Sequence, residues 1–404
     1  MQQLSSSYRE VPLNETFSHV RQFAAQLGIT RVTNITRLDC IGIPVFASIR
    51  PSAMVGSLCV NAGKGASEQE AKVSAFMEAI EFAMAEFSAS HLQVSRASVR
   101  DVLNGDERVE AILDFCPLID RQIDVDLPIS VIEAEELFSQ SSMLVPAKLI
   151  FLPFKELEVQ DSYFPSNSNG LASGNSLVEA SVHALLEVIE RDITSFQLFS
   201  DTSVLLLPES FPEPAASLAK AISHADLSLH VRFVPNSFNL SYFRAILFDP
   251  NYLSPLYING GYGCHIDPSI ALTRAICEAA QSRLSFIHGA REDLITTARK
   301  FALFSGQEIQ EYIEEQINAA ENSESTIKFE DIARSVHQVK TIPELLDFIL
   351  EALWLNRMCF VCRVVFTYPS DPVQVVRIIV PKMENFHDSS KRVGPRLRDY
   401  VNSL

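Results

Sequence analysis

One stretch limits what this chain can fold into more than any other: residues 166–196, SNSNGLASGNSLVEASVHALLEVIERDITSF. A loop rich in Asn, Ser and Gly runs into a long segment of helical periodicity. Glu179, His183, Glu187 and Glu190 recur at spacings of four, four and three, which places them on one helix face. Val182, Leu185, Leu186 and Ile189 occupy the apolar packing positions. Acidic side chains on a mostly apolar helix are costly unless they are solvated, paired or hold a cation. A solvated stripe is the plain alternative, and two further segments bear on the choice.

In residues 71–87, AKVSAFMEAIEFAMAEF, Ser74, Glu78 and Glu81 share a face of a helix that is otherwise almost wholly apolar. Two glutamates a turn apart in such a helix repel each other unless something positive lies between them. In residues 271–291, ALTRAICEAAQSRLSFIHGAR, Arg274, Glu278 and Gln281 share a face, with Ser285 one turn on. Three helices thus present oxygen ligands from apolar bodies. Hard oxygen donors converging from several helices suit Mg²⁺, which is commonly held together with substrate phosphates, and nearby Arg and Lys would neutralise the same phosphates. A set of buried ion pairs is the competing reading.

Composition excludes several classes. With 404 residues, one large or two intimately packed domains are expected. A net charge of −17 argues against a nucleic-acid or anionic membrane surface as the main partner. The first residues, MQQLSSSYREVPLNET, hold no basic then apolar signal region, and no apolar run is long enough to span a membrane. A cytoplasmic protein is expected. Seven scattered cysteines do not form a disulfide framework. Cys359 and Cys362 make a lone CxxC in a run read as a buried strand. Alternation puts the two on opposite faces, and matched zinc ligands are missing.

Other elements follow in order. A first helix is expected over 16–27, and an alternating strand over 36–51 with a turn at Gly42, Ile43 and Pro44. SLCVNAGKG is not a P-loop: the first glycine position is Leu58, and no Ser or Thr follows Lys64. Lys64, in a glycine turn at a helix entrance, is still a candidate phosphate contact. Residues 88–165 carry mixed signals punctuated by prolines. A helix near 215–225 and strands HVRFVP and FRAILFD follow, then a flexible loop over 260–264. Residues 308–331 form an acidic surface excursion, residues 342–357 an amphipathic helix with Trp354, and residues 375–381 a last strand. Lys391, Arg392, Arg396 and Arg398 form a basic tail, either solvated or in contact with phosphate or peptide.

Gly63-Lys64-Gly65 with SAFMEAIE, then SNGLASGNSLVEASVHALLEVIERD, then RAICEAAQSRL with GARED, closely resemble the YcaO family in content, order and separation. The resemblance covers about 36–293 and the tail around 375–396. It implies an α/β (α+β) fold in which antiparallel sheets support packed helices that carry a nucleotide site for ATP and Mg²⁺. The residues it assigns to metal are Glu78, Glu81, Glu179 and Glu190. Those it assigns to the nucleotide are Lys64, Ser74, Asn175, Glu187, Glu278 and Gln281. Arg191, Gln281 and Arg283 are the catalytic candidates, although helical spacing turns Arg283 away from Glu278 and Gln281. Phe82 stands where the family commonly has an arginine.

The chemistry implied by the resemblance is activation of a peptide backbone amide. A nucleophile adds to the carbonyl, the oxyanion takes the γ-phosphoryl group of ATP, and phosphate departs. Azoline-forming members commonly end in PxPxP, whereas this chain ends RDYVNSL. The opening TRLDCIGIPV and the compact tail look more like stand-alone members that act on thioamides with a TfuA-type protein. Thioamide formation on a peptide or protein is the favoured expectation, azoline formation the runner-up, and a non-catalytic nucleotide-binding accessory protein the third. A separate partner is expected to recruit the peptide, since no leader-binding domain is recognisable before the core, and a homodimer is expected. The expected organisation is an N-terminal helical segment (1–35), a nucleotide-binding core (36–300), an acidic helical excursion (301–345) and a C-terminal helix, strands and basic tail (346–404).

Overall fold

The computed structural model describes residues 1–87, 90–102, 109–119, 121–155, 159–333, 339–387 and 391–404. Parts of the proline-punctuated 88–165 stretch and of the basic tail lie outside these residues. The helices run α1 (Leu13–Gln26), α2 (Glu68–Met84), the one-turn α3 (Val99–Val102), α4 (Leu177–Gln197), α5 (Ala215–His224), α6 (Pro268–His288), α7 (Glu292–Phe301), α8 (Gly306–Glu321), α9 (Ile342–Leu355) and α10 (Pro395–Ser403). The chain forms two compact units. Unit 1 comprises residues 1–53, 58–79 and 202–340, and unit 2 comprises 54–57, 80–201 and 341–404.

Unit 1 is built on a five-stranded sheet in the order Asn259–His265, Ser241–Phe248, Ser228–Phe233, Val204–Leu206, Thr326–Ile327. All pairings are antiparallel except the last. Alternation along Ser241–Phe248 divides the side chains between two faces. Phe243, Ala245 and Leu247 pack with Leu218 and Ile222 of α5 and Leu272, Ala275 and Ile276 of α6. Ile246 and Phe248 face Ile317 and Ala320 of α8 on the other side. A three-stranded antiparallel sheet (Arg31–Asn34, Val45–Ile49, Val60–Lys64) puts Val45, Ala47 and Ala62 against Leu284 of α6, and Phe46 against Ala71 and Ala75 of α2.

Residues 260–264 are not a flexible loop. They belong to the strand Asn259–His265, which pairs along its length with Ser241–Phe248. Glycine is required there by close approach: a Cβ at Gly263 would stand 2.0 Å from the Ala271 carbonyl oxygen of α6, and one at Gly261 would stand 2.2 Å from the Ala279 nitrogen. Read along the chain alone, a glycine run signals flexibility. Here it lets a strand lie directly on a helix backbone.

Unit 2 holds an antiparallel sheet in the order Ser95–Ser98, Pro128–Glu136, Cys362–Val365, Gln374–Ile379, Leu171–Gly174, with Ser141–Pro146 also paired to Pro128–Glu136. α4 packs on Leu171–Gly174 and Gln374–Ile379, and α9 packs on α4. The strand begins at Cys362, which is buried, while Cys359 lies before it and is exposed. The expected strand therefore does not reach Cys359. All seven cysteines are free thiols. Among the described residues no helix is long and apolar enough to cross a membrane.

Candidate functional site

Each motif helix starts where a cap satisfies its first amides. The Ser176 side chain accepts from the Glu179 N–H at 3.1 Å and caps α4. Asp267 caps α6 through the Ser269 N–H at 2.9 Å, with Pro268 in the first turn. These local signals set the phase of the faces that carry the candidates.

In unit 2, α4 buries Glu179 and Glu190 to 1% and 4% exposure. His183 and Glu187 are half-buried on the same helix, so the solvated stripe does not describe this face. Both oxygens of Glu179 accept from the Asn175 side-chain amide, at 3.0 and 3.2 Å, and one also accepts from the Asn175 backbone N–H. The Arg191 guanidinium lies 3.6 Å from the Glu190 carboxylate. Ser173 donates to Glu81 at 2.6 Å. Arg377, fully buried, donates to the Leu149 carbonyl at 2.9 Å and to the Asn167 carbonyl, fixing the loop ahead of Glu179. Burial pushes its pKa down to about 9, against the pull of Glu187.

In unit 1, Lys64 is the last residue of a strand rather than part of a glycine turn. A Cβ at Gly63 would meet the Ala75 nitrogen of α2 at 2.0 Å, so this glycine also serves a strand–helix contact. The Lys64 ammonium pairs with Glu278 at 2.6 Å, and the Lys64 backbone N–H donates to the Ser74 hydroxyl at 3.4 Å. Gln281 donates to the Ala62 carbonyl, tying α6 to the same strand. Arg283 pairs with Asp39 at 3.0 Å, on a different side from Glu278 and Gln281 as the spacing implied. Sequence reading did not single out Arg291. Burial disfavours its charge, but its hydrogen bond to Asp293 and the carboxylates of Glu78, Asp293 and Glu292 hold its pKa up. The signal was present in GARED, whose acidic residues follow the arginine directly.

The basic tail is not uniformly solvated. Arg392 is buried and donates to the Cys116 and Phe115 carbonyls at 2.9 and 3.0 Å. Arg396 donates to the buried Asp192 at 2.7 Å, whereas Arg398 is exposed. Burial raises the Asp192 pKa, opposed by Arg396. Arg396→Ala is expected to cost about 2–3 kcal/mol, below the range for a fully buried pair because Arg396 is partly solvated. A raised folded-state pKa means that the protonated form is the better tolerated. The deficit therefore shrinks as pH falls through the carboxylate range and is full near neutrality. Urea denaturation of parent and variant at two pH values checks this.

His265 is fully buried against the Tyr8 ring at 5.0 Å, and its Nδ1 accepts from the Asp267 N–H at 3.0 Å. Burial, reinforced by Arg274, pushes its pKa down to about 3. Below the ordinary value of 6.5 the unfolded chain takes up a proton that the folded chain refuses, so stability is lost as pH falls from 6.5 towards 3. Between pH 7 and pH 5 this loss is about 2 kcal/mol. Urea midpoints of the parent and His265→Asn at both pH values are expected to show a smaller drop in the variant.

Among the described residues no group of three His, Cys, Asp or Glu side chains stands placed to hold a metal ion. A cage of that kind is not required for Mg²⁺, which keeps several waters and takes one or two carboxylates together with phosphate oxygens. The donor set on α4, buried carboxylates with an amide partner, fits that ion.

A model of the YcaO family, described as a cyclodehydratase that binds ATP and Mg²⁺, matches residues 62–384. The chain is 32% identical over 398 residues to an uncharacterised protein of Methanothermobacter thermautotrophicus, covering 96% of this chain and 98% of that one. It is 31% identical over 389 residues to an uncharacterised protein from the region 3′ of tfuA in Rhizobium leguminosarum bv. trifolii, covering 93% and 88%. YcaO from Methanopyrus kandleri, solved with AMPPCP and Mg²⁺, has the same fold, with a TM-score of 0.74 at 23% identity over 96% of each chain. Motif helices, antiparallel sheets and a match across most of the sequence agree: the chain belongs to the YcaO family, and its cofactors are ATP and Mg²⁺.

Proposed function

We propose that this protein activates a peptide backbone amide by ATP- and Mg²⁺-dependent O-phosphorylation, and that its product is a thioamide. The observation that carries the reading is the burial of Glu179 and Glu190 on one apolar helix, at 1% and 4% exposure. Carboxylates in such a place are retained when a cation or strong donors meet them. When bound, Mg²⁺–ATP supplies the γ-phosphoryl group that turns the amide oxygen into a phosphate leaving group. In unit 2, Glu81, Glu179 and Glu190 hold the cation, with Ser173 and Asn175 orienting two of them. Asn175 and Glu187 contact the nucleotide, and Arg191 neutralises the transferring group. In unit 1, taken by itself, Glu78 is the metal candidate, and Lys64, Ser74, Glu278 and Gln281 are the nucleotide candidates. Arg283, already paired with Asp39, is read as an anchor for α6.

One observation supports the thioamide product: a relative is encoded in the region 3′ of tfuA. A TfuA-like partner, a homodimer and a cytoplasmic location belong to this reading. The family description as a cyclodehydratase favours azoline formation as the second reading. The test is peptide-dependent phosphate release with a sulfide donor and the TfuA-like partner, followed by mass spectrometry of the peptide. Exchange of oxygen for sulfur supports the thioamide. Loss of water without sulfide supports the azoline. ATP binding with no phosphate release under any of these conditions overturns both.

A further inference from the structure

α9 has two unlike faces. Leu345, Ile349 and Leu353 are buried, and the helix packs on α4, which carries Glu179 and Glu190. On the opposite side Asp347, Glu351, Trp354 and Leu355 are exposed, within an arc of about 100° by helix geometry. Trp354 is the sole tryptophan of the chain and is 55% exposed, and Leu355 is 70% exposed. Exposed apolar side chains standing together mark contact surfaces, and tryptophan is enriched among residues that carry binding energy.

This surface is held in shape by its own neighbours. The Trp354 ring meets Phe138 edge-on, with centroids 5.4 Å apart. Phe138 sits in the turn between the strands Pro128–Glu136 and Ser141–Pro146. The buried Glu136 carboxylate accepts from the Phe138, Ser139 and Val361 N–H groups at 3.2, 2.8 and 3.0 Å. One anchor thus fixes that turn and the chain that follows Phe360. A preformed surface loses little freedom on binding.

The charges select the occupant. α9 contains no Lys or Arg, and among the described residues no cation pairs with Asp347 or Glu351. Four residues apart on one face, these carboxylates repel each other. A cationic partner relieves that repulsion, whereas a nucleic acid or an anionic lipid surface adds to it. A second copy is disfavoured on the same ground, since it brings a net charge of −17 and the same two carboxylates. The chain's own basic tail is committed elsewhere: Arg392 to the Phe115 and Cys116 carbonyls, and Arg396 to Asp192.

We propose that the outer face of α9 is a docking site for a partner protein that presents a cationic helix. Lys or Arg side chains four residues apart meet Asp347 and Glu351, and an apolar side chain one turn away packs on Trp354 and Leu355. A partner bound there bears on α4 through α9. The inference deepens the reading of a partner-assisted enzyme and rests on it only for that consequence.

Trp354 supplies the readout, because no other tryptophan contributes to the emission. The full chain is titrated with a synthetic amphipathic helical peptide that carries lysines at i and i+4 and leucines one turn on. A second peptide carries glutamates in place of the lysines. No ATP or substrate is present, so the result stands whether or not amide activation is found. The expected result is a saturable blue shift of the emission with the lysine peptide and none with the glutamate peptide. Asp347→Lys with Glu351→Lys is expected to weaken binding about tenfold or more. Glu311→Lys with Glu315→Lys makes the same change of net charge on the exposed side of α8 and is expected to leave binding within about twofold. Melting curves verify that both double variants are folded, and Asp347→Asn with Glu351→Gln stands in if the first is not. A shift that grows with protein concentration alone, together with a dimer in sedimentation, assigns the face to a second copy and overturns the proposal. So does the absence of a shift with the lysine peptide, or a shift that survives the charge reversal.

Discussion

Glu190→Gln is expected to reduce Mg²⁺-dependent ATP affinity about 100-fold, equivalent to about 2.7 kcal/mol, while leaving the ligand-free protein as stable as the parent or slightly more so. The two effects have one cause. Glu190 is 4% exposed on an apolar helix, and its charge is retained there at a desolvation cost that Arg191, 3.6 Å away and partly solvated, offsets in part. Glutamine keeps the shape and removes that cost, but it also removes the negative charge that a divalent cation requires. Glu179→Gln is less clean, because both Glu179 oxygens accept from Asn175 and an amide cannot replace both. Calorimetry with and without Mg²⁺, together with urea denaturation of the free proteins, separates the terms. Binding that is unchanged in Glu190→Gln would remove this residue from the metal site.

Gly263→Ala is expected to destabilise the fold by about 3 kcal/mol. The added Cβ would lie 2.0 Å from the Ala271 carbonyl oxygen and 2.9 Å from the Ala275 nitrogen, both backbone atoms of α6. Backbone inside a helix cannot yield as a side-chain end can, so strand and helix must separate. Gly260→Ala in the same strand is the control: its nearest neighbours are the Tyr262 hydroxyl oxygen at 3.6 Å and the ring carbon that bears it at 3.8 Å, and little change is expected. Equal urea midpoints for Gly263→Ala and the parent would mean that α6 does not rest on this strand as described.

The pattern behind Gly263 recurs. At Gly174, the end of the strand Leu171–Gly174, a Cβ would stand 2.4 Å from the Ala180 nitrogen of α4. At Gly63 it would meet α2. Each motif helix is therefore seated on the strand that precedes it by a glycine facing an alanine. The candidate residues of each helix project from a body pinned at its N-terminal end. Gln281 adds a second tie, from α6 to the Ala62 carbonyl.

Much of this was legible from the chain because it depends on neighbours a few residues away. Helical periodicity placed α2, α4 and α6 close to their observed bounds. The spacing of Glu179 and Glu190 placed both on one face of α4. The turn of Arg283 away from Gln281 also follows from helix geometry alone. Motif order then identified the family.

What the sequence could not determine depends on atoms far along the chain. Arg392 and Arg396 look like a solvated basic tail until Cys116 and Asp192, 276 and 204 residues away, give them partners. Lys64 reads as a turn residue until Glu278, 214 residues on, takes its charge. The Gly260–Gly263 run reads as a loop until a helix backbone lies where its side chains would be. Local sequence fixes backbone periodicity and which groups share a face. Tertiary structure decides which of those groups leave water, and desolvation separates a structural charge from one that waits for a ligand.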